Sequence, residues 1–263
     1  MGVTPLFERR LLILAGKGGT GRTTVAAALA RAAVRAGKRV LLAQTNAPPR
    51  LAHLLGCPES IGPDIVAVGE RLWAVNMNQR SAQREYILKV LRYESVYRAL
   101  FENRAMRGFL GAMPGLEAWA MLGKTWWHTT EREDDGHLKY DLVILDGPGS
   151  GHILTMLRVP AAVQVAMPMG PLARPAQAAR ALLADPQQAA LLIVTLAEEL
   201  PARETVVLAR EVRSSLGIPL GPLIVNAMPP EEAGRPELHE VLESVEPATT
   251  SAGLASTVDG AAV

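Results

Sequence analysis

The sequence predicts an α/β fold, a mostly parallel sheet covered by helices on both faces. Three observations predict it. Short solid apolar runs recur along the chain, "LLILA" at residues 11–15 first among them, and such runs mark strands buried on both faces. Ala-rich or amphipathic stretches of helical length alternate with these runs, the rhythm that gives parallel strands joined by crossover helices. The first run leads directly into "GKGGTGRTT", a strand-to-helix turn built largely from glycine.

Taken in order, Leu11–Ala15 is the first buried strand. Thr23–Ala36 is an Ala-rich helix, and Gly37 stands where a C-terminal cap belongs. Val40–Ala43 is a second buried strand, and Ile65–Val68 and Leu72–Val75 are short ones. Leu142–Leu145, Ala161–Ala166, Leu191–Val194 and Leu223–Val225 are further buried strands. Helices over Pro171–Leu183 and Arg203–Leu216 lie between them, and Glu237–Val245 closes the fold. From about Glu246 the chain is Ala, Gly, Ser, Thr and Pro with little to bury, a disordered tail. Residues 1–245 thus form one domain and 246–263 a tail.

One segment breaks the rhythm. Residues 80–128 carry no strand signal, and Tyr86, Val90, Tyr97 and Phe101 recur at helical spacing. Eight of the eleven aromatic residues lie between Tyr86 and Trp127, with Met106, Met113 and Met121 among them. This is a helical insert. Its large apolar side chains either pack onto the parent sheet or line a groove for an apolar partner, a use that Met-rich surfaces suit.

Composition bounds the function. The 263 residues are 49% apolar and 20% charged, a globular balance. A formal net charge of +1 gives no electrostatic reason to bind nucleic acid. No apolar run reaches the roughly 20 residues that span a bilayer, so a soluble cytoplasmic protein without stable membrane insertion is expected. The single cysteine, Cys57, reads as a small apolar filler and cannot form a multi-thiolate metal site.

The chemistry is carried by Gly16–Thr23, G-K-G-G-T-G-R-T. It matches the eight-residue phosphate-loop pattern at all positions but one, after a buried strand and before a helix. This makes the predicted fold that of a P-loop NTPase. Gly16, Gly18, Gly19 and Gly21 let backbone N–H groups turn toward phosphate oxygens, with Lys17 and Thr20 between them. The helix starting near Arg22 adds its positive end, where Thr23 and Thr24 lie, and Thr23 is placed to hold magnesium through its hydroxyl. The expected ligands are therefore ATP and Mg2+. The departure is Arg22, a planar fork where such loops carry a compact lysine ammonium.

The sequence resembles the arsenite-pump and tail-anchored-protein-targeting ATPase family, and within it the bacterial paired members. Four blocks between Leu11 and Pro230 carry the resemblance: the loop itself, "LLAQTNAPPRLAHLLG", "YDLVILDGPGSGHILTMLRVP" and "VTLAEELPARETVVLAREVRSSLGIPLGPLIVNAMPP". The resemblance implies that Lys17 is the extra lysine of the deviant phosphate loop, which reaches across a dimer to the partner's nucleotide. It implies that Asp146 is the Walker B aspartate, holding magnesium through water, with Gly151 and His152 in the switch segment after it. It implies that Asn226 reads the adenine ring. Asn46 stands where the family has an aspartate that positions the attacking water. An amide can orient water but cannot take its proton, so Arg22 and Asn46 together imply slow or partner-dependent hydrolysis.

The expected function is that of a dimeric ATPase whose nucleotide state is coupled to capture of an apolar client. The dimer is formed with itself or with a related ATPase subunit. Two alternatives stand beside it. One is a positioning ATPase of the cell-division and plasmid-partition type, which shares the deviant loop but is disfavoured by the fourth block. The other is a nucleotide-bound scaffold subunit without turnover, which Arg22 and Asn46 favour.

Overall fold

A computed structural model describes residues 5–45, 50–58, 60–78, 82, 116–169 and 172–228. The chain divides into a unit over residues 1–226 and a second over 227–263, and the first unit holds the whole sheet. Its strands are β1 (Leu11–Ala15), β2 (Val40–Thr45), β3 (Val66–Gly69), β4 (Leu72–Met77), β5 (Leu142–Asp146), β6 (Ala189–Leu196) and β7 (Ile224–Asn226). They form a seven-stranded sheet in the order β3-β4-β2-β5-β1-β6-β7. All neighbours are parallel except β3 and β4, which pair antiparallel. Among the described residues the α-helices are α1 (Arg22–Arg35), α2 (Arg50–Leu54), α3 (Leu116–Thr130), α4 (Ser150–Ala166), α5 (Ala173–Ala184) and α6 (Glu199–Glu211).

Burial explains the apolar runs. Every residue of β1, β2 and β5 is buried. Leu12, Leu14, Leu42, Ile144 and Leu192 alternate along their strands and pack with Ala26, Ala30 and Ala33 of α1 in one core cluster. Those alanines fall on one face of the helix and let its backbone lie close to the sheet. The alternate set, among them Leu11, Ile13, Leu41, Val143 and Leu145, is buried as completely, with α3 packed on β5 and α5 on β6. Helix α1 ends as expected at Gly37, whose φ of +86° is open to glycine at little cost. The chain leaves β1 toward β2 and leaves β5 toward β6, so the carboxyl ends of β1 and β5 form a switch point where such sheets hold ligands.

One expected strand is corrected. Ala161–Ala166 is not a strand but the last part of α4. Of these six residues only Val163 is buried, so the apolar run does not face a sheet on both sides. The phase that decides is helical: Ile153, Met156, Leu157, Pro160 and Val163 share the buried face. The place beside β1 is taken by β6. Pro160 stands inside the helix, which hid its continuity from the sequence. The helix expected over Arg203–Leu216 begins earlier, at Glu199, and ends in a wider turn over Val212–Leu216.

Of the segment 80–128 the structure describes helix α3, and Trp119, Met121 and Leu122 on it are buried, so this part packs inward. Tyr86, Val90, Tyr97, Phe101, Met106 and Met113 lie outside the described residues, as do the expected closing helix and tail. The C-terminal end of α3 is tied to the sheet. Arg10, just before β1, donates to the carbonyl oxygens of Thr129, Tyr140 (2.8 Å) and Asp141 (2.5 Å). His128 is fully buried, with Nδ1 2.5 Å from Glu131 Oε2, and Lys139 Nζ lies 3.2 Å from Glu131 Oε1. Burial alone pushes the Glu131 carboxyl up. The hydrogen bond and charge of His128, then those of Lys139, outweigh it and leave the pKa at about 2.

A pH dependence results. The folded pKa lies below the ordinary value, so Glu131 contributes stability that is complete above about pH 5 and is lost as pH falls toward about 2. At neutral pH Glu131→Gln is expected to cost on the order of 2 kcal/mol. The gap between wild type and variant, measured by urea denaturation, narrows by roughly half between pH 5 and pH 3. A gap that stays constant over that range contradicts this assignment.

Candidate functional site

The loop after β1 crosses the carboxyl ends of the strands. At Gly16 an added Cβ would stand 2.2 Å from the Val194 carbonyl oxygen of β6, and φ is +147°, so only glycine lets the loop leave β1 here. At Gly21 φ is +83° and an added Cβ would stand 2.2 Å from Asn226 Nδ2. Asn226, the last residue of β7, fills that space and donates from Nδ2 to the Thr20 carbonyl oxygen at 2.9 Å. Thr20 is itself buried, its Oγ1 donating to the Lys17 carbonyl oxygen at 3.0 Å. Gly18 and Gly19 form the exposed crest. Gly21 provides no side-chain cap for α1, so the N–H groups of its first turn remain directed into the loop. Thr24 is exposed on that turn.

Below the loop lies a buried polar row. Along the core-facing phase of the strands, Leu42 is followed by Gln44 and Ile144 by Asp146, and Gln44 and Asp146 are register partners on adjacent strands. Thr23, in the first turn of α1, donates from Oγ1 to Asp146 Oδ2 at 2.7 Å. Gln44 Nε2 donates to the same carboxylate oxygen at 2.9 Å and to Thr23 Oγ1 at 3.3 Å. Gln44 Oε1 and Asp146 Oδ1 are buried without a hydrogen-bond partner. Unpaired buried acceptors are costly, and together with the Thr23 hydroxyl they make an oxygen-only set suited to a hard cation and its waters. Among the described residues no three His, Cys, Asp or Glu side chains gather into a metal site, and a cation held largely through water needs none.

The cations of the loop take different directions. The Arg22 side chain folds over the loop, Nη1 donating to the carbonyl oxygens of Gly16 (2.5 Å) and Pro148 (2.9 Å). Its Nε is buried with no partner, a donor suited to an anion. Burial lowers the affinity of the guanidinium for its proton, Asp146 partly restores it, and the group stays a cation. Arg22 thereby links the loop to the segment after β5. That segment turns sharply at Gly147, where an added Cβ would stand 2.8 Å from the Leu14 carbonyl oxygen, and leads into α4 with Gly151 and His152 exposed on its first turn. Lys17 points away from this cluster and pairs with Glu204 of α6, Nζ to Oε1 2.9 Å.

Of the residues singled out in the sequence, the structure brings Gly16, Thr20, Gly21, Arg22, Thr23, Asp146 and Asn226 together. It directs Lys17 to Glu204, and Asn46 lies outside the described residues. Sequence reasoning missed Gln44 and Glu204. The signal for Gln44 was present: a polar residue at the end of an otherwise apolar strand, in phase with the α1-facing leucine. Glu204 had no such signal.

A parallel sheet with a glycine loop at its switch point, and a threonine bonded to a strand-end aspartate, defines a P-loop nucleotide-binding ATPase domain. The chain belongs to the anion-transporting ATPase family, whose pattern it matches over residues 9–175. It is 32% identical over 258 residues to the ATPase BagA of Mycobacterium tuberculosis, covering 93% of this chain and 73% of that protein. It is 27% identical over 252 residues to a putative arsenical pump-driving ATPase of Halobacterium salinarum, covering 88% of this chain and 37% of that one. No helix among the described residues is long and apolar enough to cross a membrane.

The loop's glycines differ in what they meet, and this orders their substitutions. Gly16→Ala, pressed against β6 backbone, is expected to cost several kcal/mol or prevent folding. Gly21→Ala, which displaces the Asn226 amide, is expected to cost about 2 kcal/mol, and Gly19→Ala, strained but with open space around it, about 1 kcal/mol. Gly18→Ala, unstrained and open, stays within about 0.5 kcal/mol of wild type. Thermal and urea denaturation measure the order; equal effects at positions 16 and 18 contradict it.

Proposed function

We propose that this chain binds ATP with magnesium and acts as one subunit of a dimeric ATPase whose own turnover is slow. The observation that carries the reading is the Thr23–Asp146 hydrogen bond beneath a glycine loop at the switch point of the sheet. In this reading the N–H groups of Gly16–Thr24 and the first turn of α1 cradle the phosphates. Thr23 and Asp146 hold magnesium, the threonine directly and the aspartate through water. Magnesium, when bound, neutralises charge on the terminal phosphate oxygens. Asn226, besides clamping the loop, borders the adenine.

Arg22 couples the site to its surroundings. Its unpartnered Nε is the donor a phosphate can take, while Nη1 joins the loop to the segment leading into α4. The fork is bulkier than an ammonium, and Asn46 offers no carboxylate to take a proton from water. Both argue for slow hydrolysis. Lys17, held by Glu204 in the single chain, is available to reach a partner's nucleotide if that pair opens. A related subunit with a full complement of loop lysine and carboxylate is the partner this asymmetry favours. The aromatic and Met-rich insert supports an apolar client on the residues that precede α3. The same two departures support a second reading, a nucleotide-bound scaffold without turnover.

Calorimetry is expected to show magnesium-dependent ATP and ADP binding; no affinity up to millimolar concentration sinks the nucleotide reading. Turnover is expected well below a typical enzyme rate of about 10 per second, with Arg22→Lys and Asn46→Asp together raising it. A wild type already at that rate, or a slower double variant, removes the case for impairment. If the double variant stays inert with and without a related subunit, the scaffold reading stands instead. For the dimer, Lys17→Ala is expected to abolish partner-dependent turnover while leaving this chain's own ATP affinity unchanged. An unaffected mixture of the two subunits argues against a role across the interface.

A further inference from the structure

We propose that Gln44 is a positioning residue of the magnesium site, its amide nitrogen setting Thr23 and Asp146 and its side-chain oxygen accepting from a metal-bound water. The inference rests on the magnesium–nucleotide reading above. Gln44 is 1% exposed and Asp146 3%, so neither is solvated from the surface. The parallel register of β2 and β5 sets the two side chains side by side. One half of the amide is used: Nε2 donates to Asp146 Oδ2 at 2.9 Å and to Thr23 Oγ1 at 3.3 Å. The other half, Oε1, has no partner, and neither has Asp146 Oδ1.

The orientation of the amide is set by chemistry. Turned over, its carbonyl oxygen would face the carboxylate oxygen that already accepts from Thr23, acceptor against acceptor, while its N–H groups would face the orphaned side. With Nε2 on the carboxylate, Oε1 is necessarily left over. A buried acceptor left in this state is costly, and an apolar residue closing the strand end would avoid that cost. The positions of Ile144 and Leu42 one step earlier show what such a residue looks like. A hydrated magnesium ion held here would relieve that cost: the waters it keeps would donate hydrogen bonds, and Oε1 and Asp146 Oδ1 are two acceptors without partners.

The test uses the full chain and reads nucleotide affinity, not turnover. ADP is titrated calorimetrically with excess magnesium and with excess EDTA, and magnesium is titrated into the nucleotide complex. Variants are Gln44→Met, which keeps the volume and removes both polar functions, and Gln44→Glu, which keeps an oxygen, replaces the donating nitrogen by a second acceptor and adds a charge that attracts the cation. Gln44→Met is expected to raise the magnesium concentration for half-maximal effect roughly tenfold or more, with affinity in EDTA unchanged. Gln44→Glu at pH 8 is expected to lower it below wild type. A Gln44→Met protein with wild-type magnesium dependence overturns the proposal. So does one that loses affinity equally in magnesium and in EDTA, since that is the mark of a packing role. If Gln44→Met shows no cooperative melting, Gln44→Glu decides alone, and an unchanged magnesium midpoint overturns the proposal. A wild type that binds ADP equally in both conditions removes the magnesium reading itself, and the role of Gln44 falls with it.

Discussion

The hydrogen bond from Thr23 to Asp146 joins the first turn of α1 to the end of β5 at 2.7 Å, and much of the molecule is arranged to let it form. A charge-assisted bond of this kind contributes roughly 1.5–3 kcal/mol, but only if both groups are held in place. The sheet holds Asp146 through pairing with β1 on one side and β2 on the other. The helix holds Thr23 because Ala26, Ala30 and Ala33 let α1 sit down on Leu12, Leu14 and Leu42. A larger side chain at those positions would lift the helix and lengthen the bond. Core packing and site geometry are therefore one constraint.

The loop above obeys the same logic from the opposite direction. It cannot rise away from the strands, because Gly16 is in contact with β6 and Asn226 of β7 draws Thr20 down. Four strands thus meet at one loop: β1 begins it, β5 underlies it, and β6 and β7 fence it. Arg22 adds a polar strap between the loop and the segment after β5. That strap is made of hydrogen bonds to two carbonyl oxygens, which a phosphate anion can outcompete. An apolar contact in the same place would have no such competitor. The orphaned Nε of Arg22 is suited to an anion, and the orphaned oxygens of Gln44 and Asp146 to a hydrated cation. The polarity of the site is thereby divided before any ligand is considered.

Lys17 is held within the chain, away from the buried polar row. Its ammonium is neutralised by Glu204 at 2.9 Å, with both side chains about a third exposed, and a pair in that setting is held by at most about 1 kcal/mol. At the other end of the sheet, Arg10 and the His128–Glu131–Lys139 network anchor α3 far more firmly. Helix α3 is therefore fixed against the domain at its C-terminal end. What the aromatic residues before α3 do is a separate matter from how α3 itself is held.

The sequence by itself determined the class of fold, the loop and the family. Apolar runs such as Leu11–Ala15 and Leu142–Leu145 carry strand identity locally, through composition and length. The glycine pattern at Gly16–Gly21 carries the loop because backbone freedom is a property of the residue type. Ala161–Ala166 reads wrongly as a strand because a run of small apolar residues after a proline has no period of its own; the burial of Ile153, Met156 and Val163 on one face sets its phase. Only the tertiary structure decided the register of β2 against β5, and with it that Gln44 belongs beside Asp146. It also decided that Lys17 meets Glu204, 187 residues away. Both are consequences of strand order and crossover, which place distant residues within a few ångströms while leaving no mark in their neighbours along the chain.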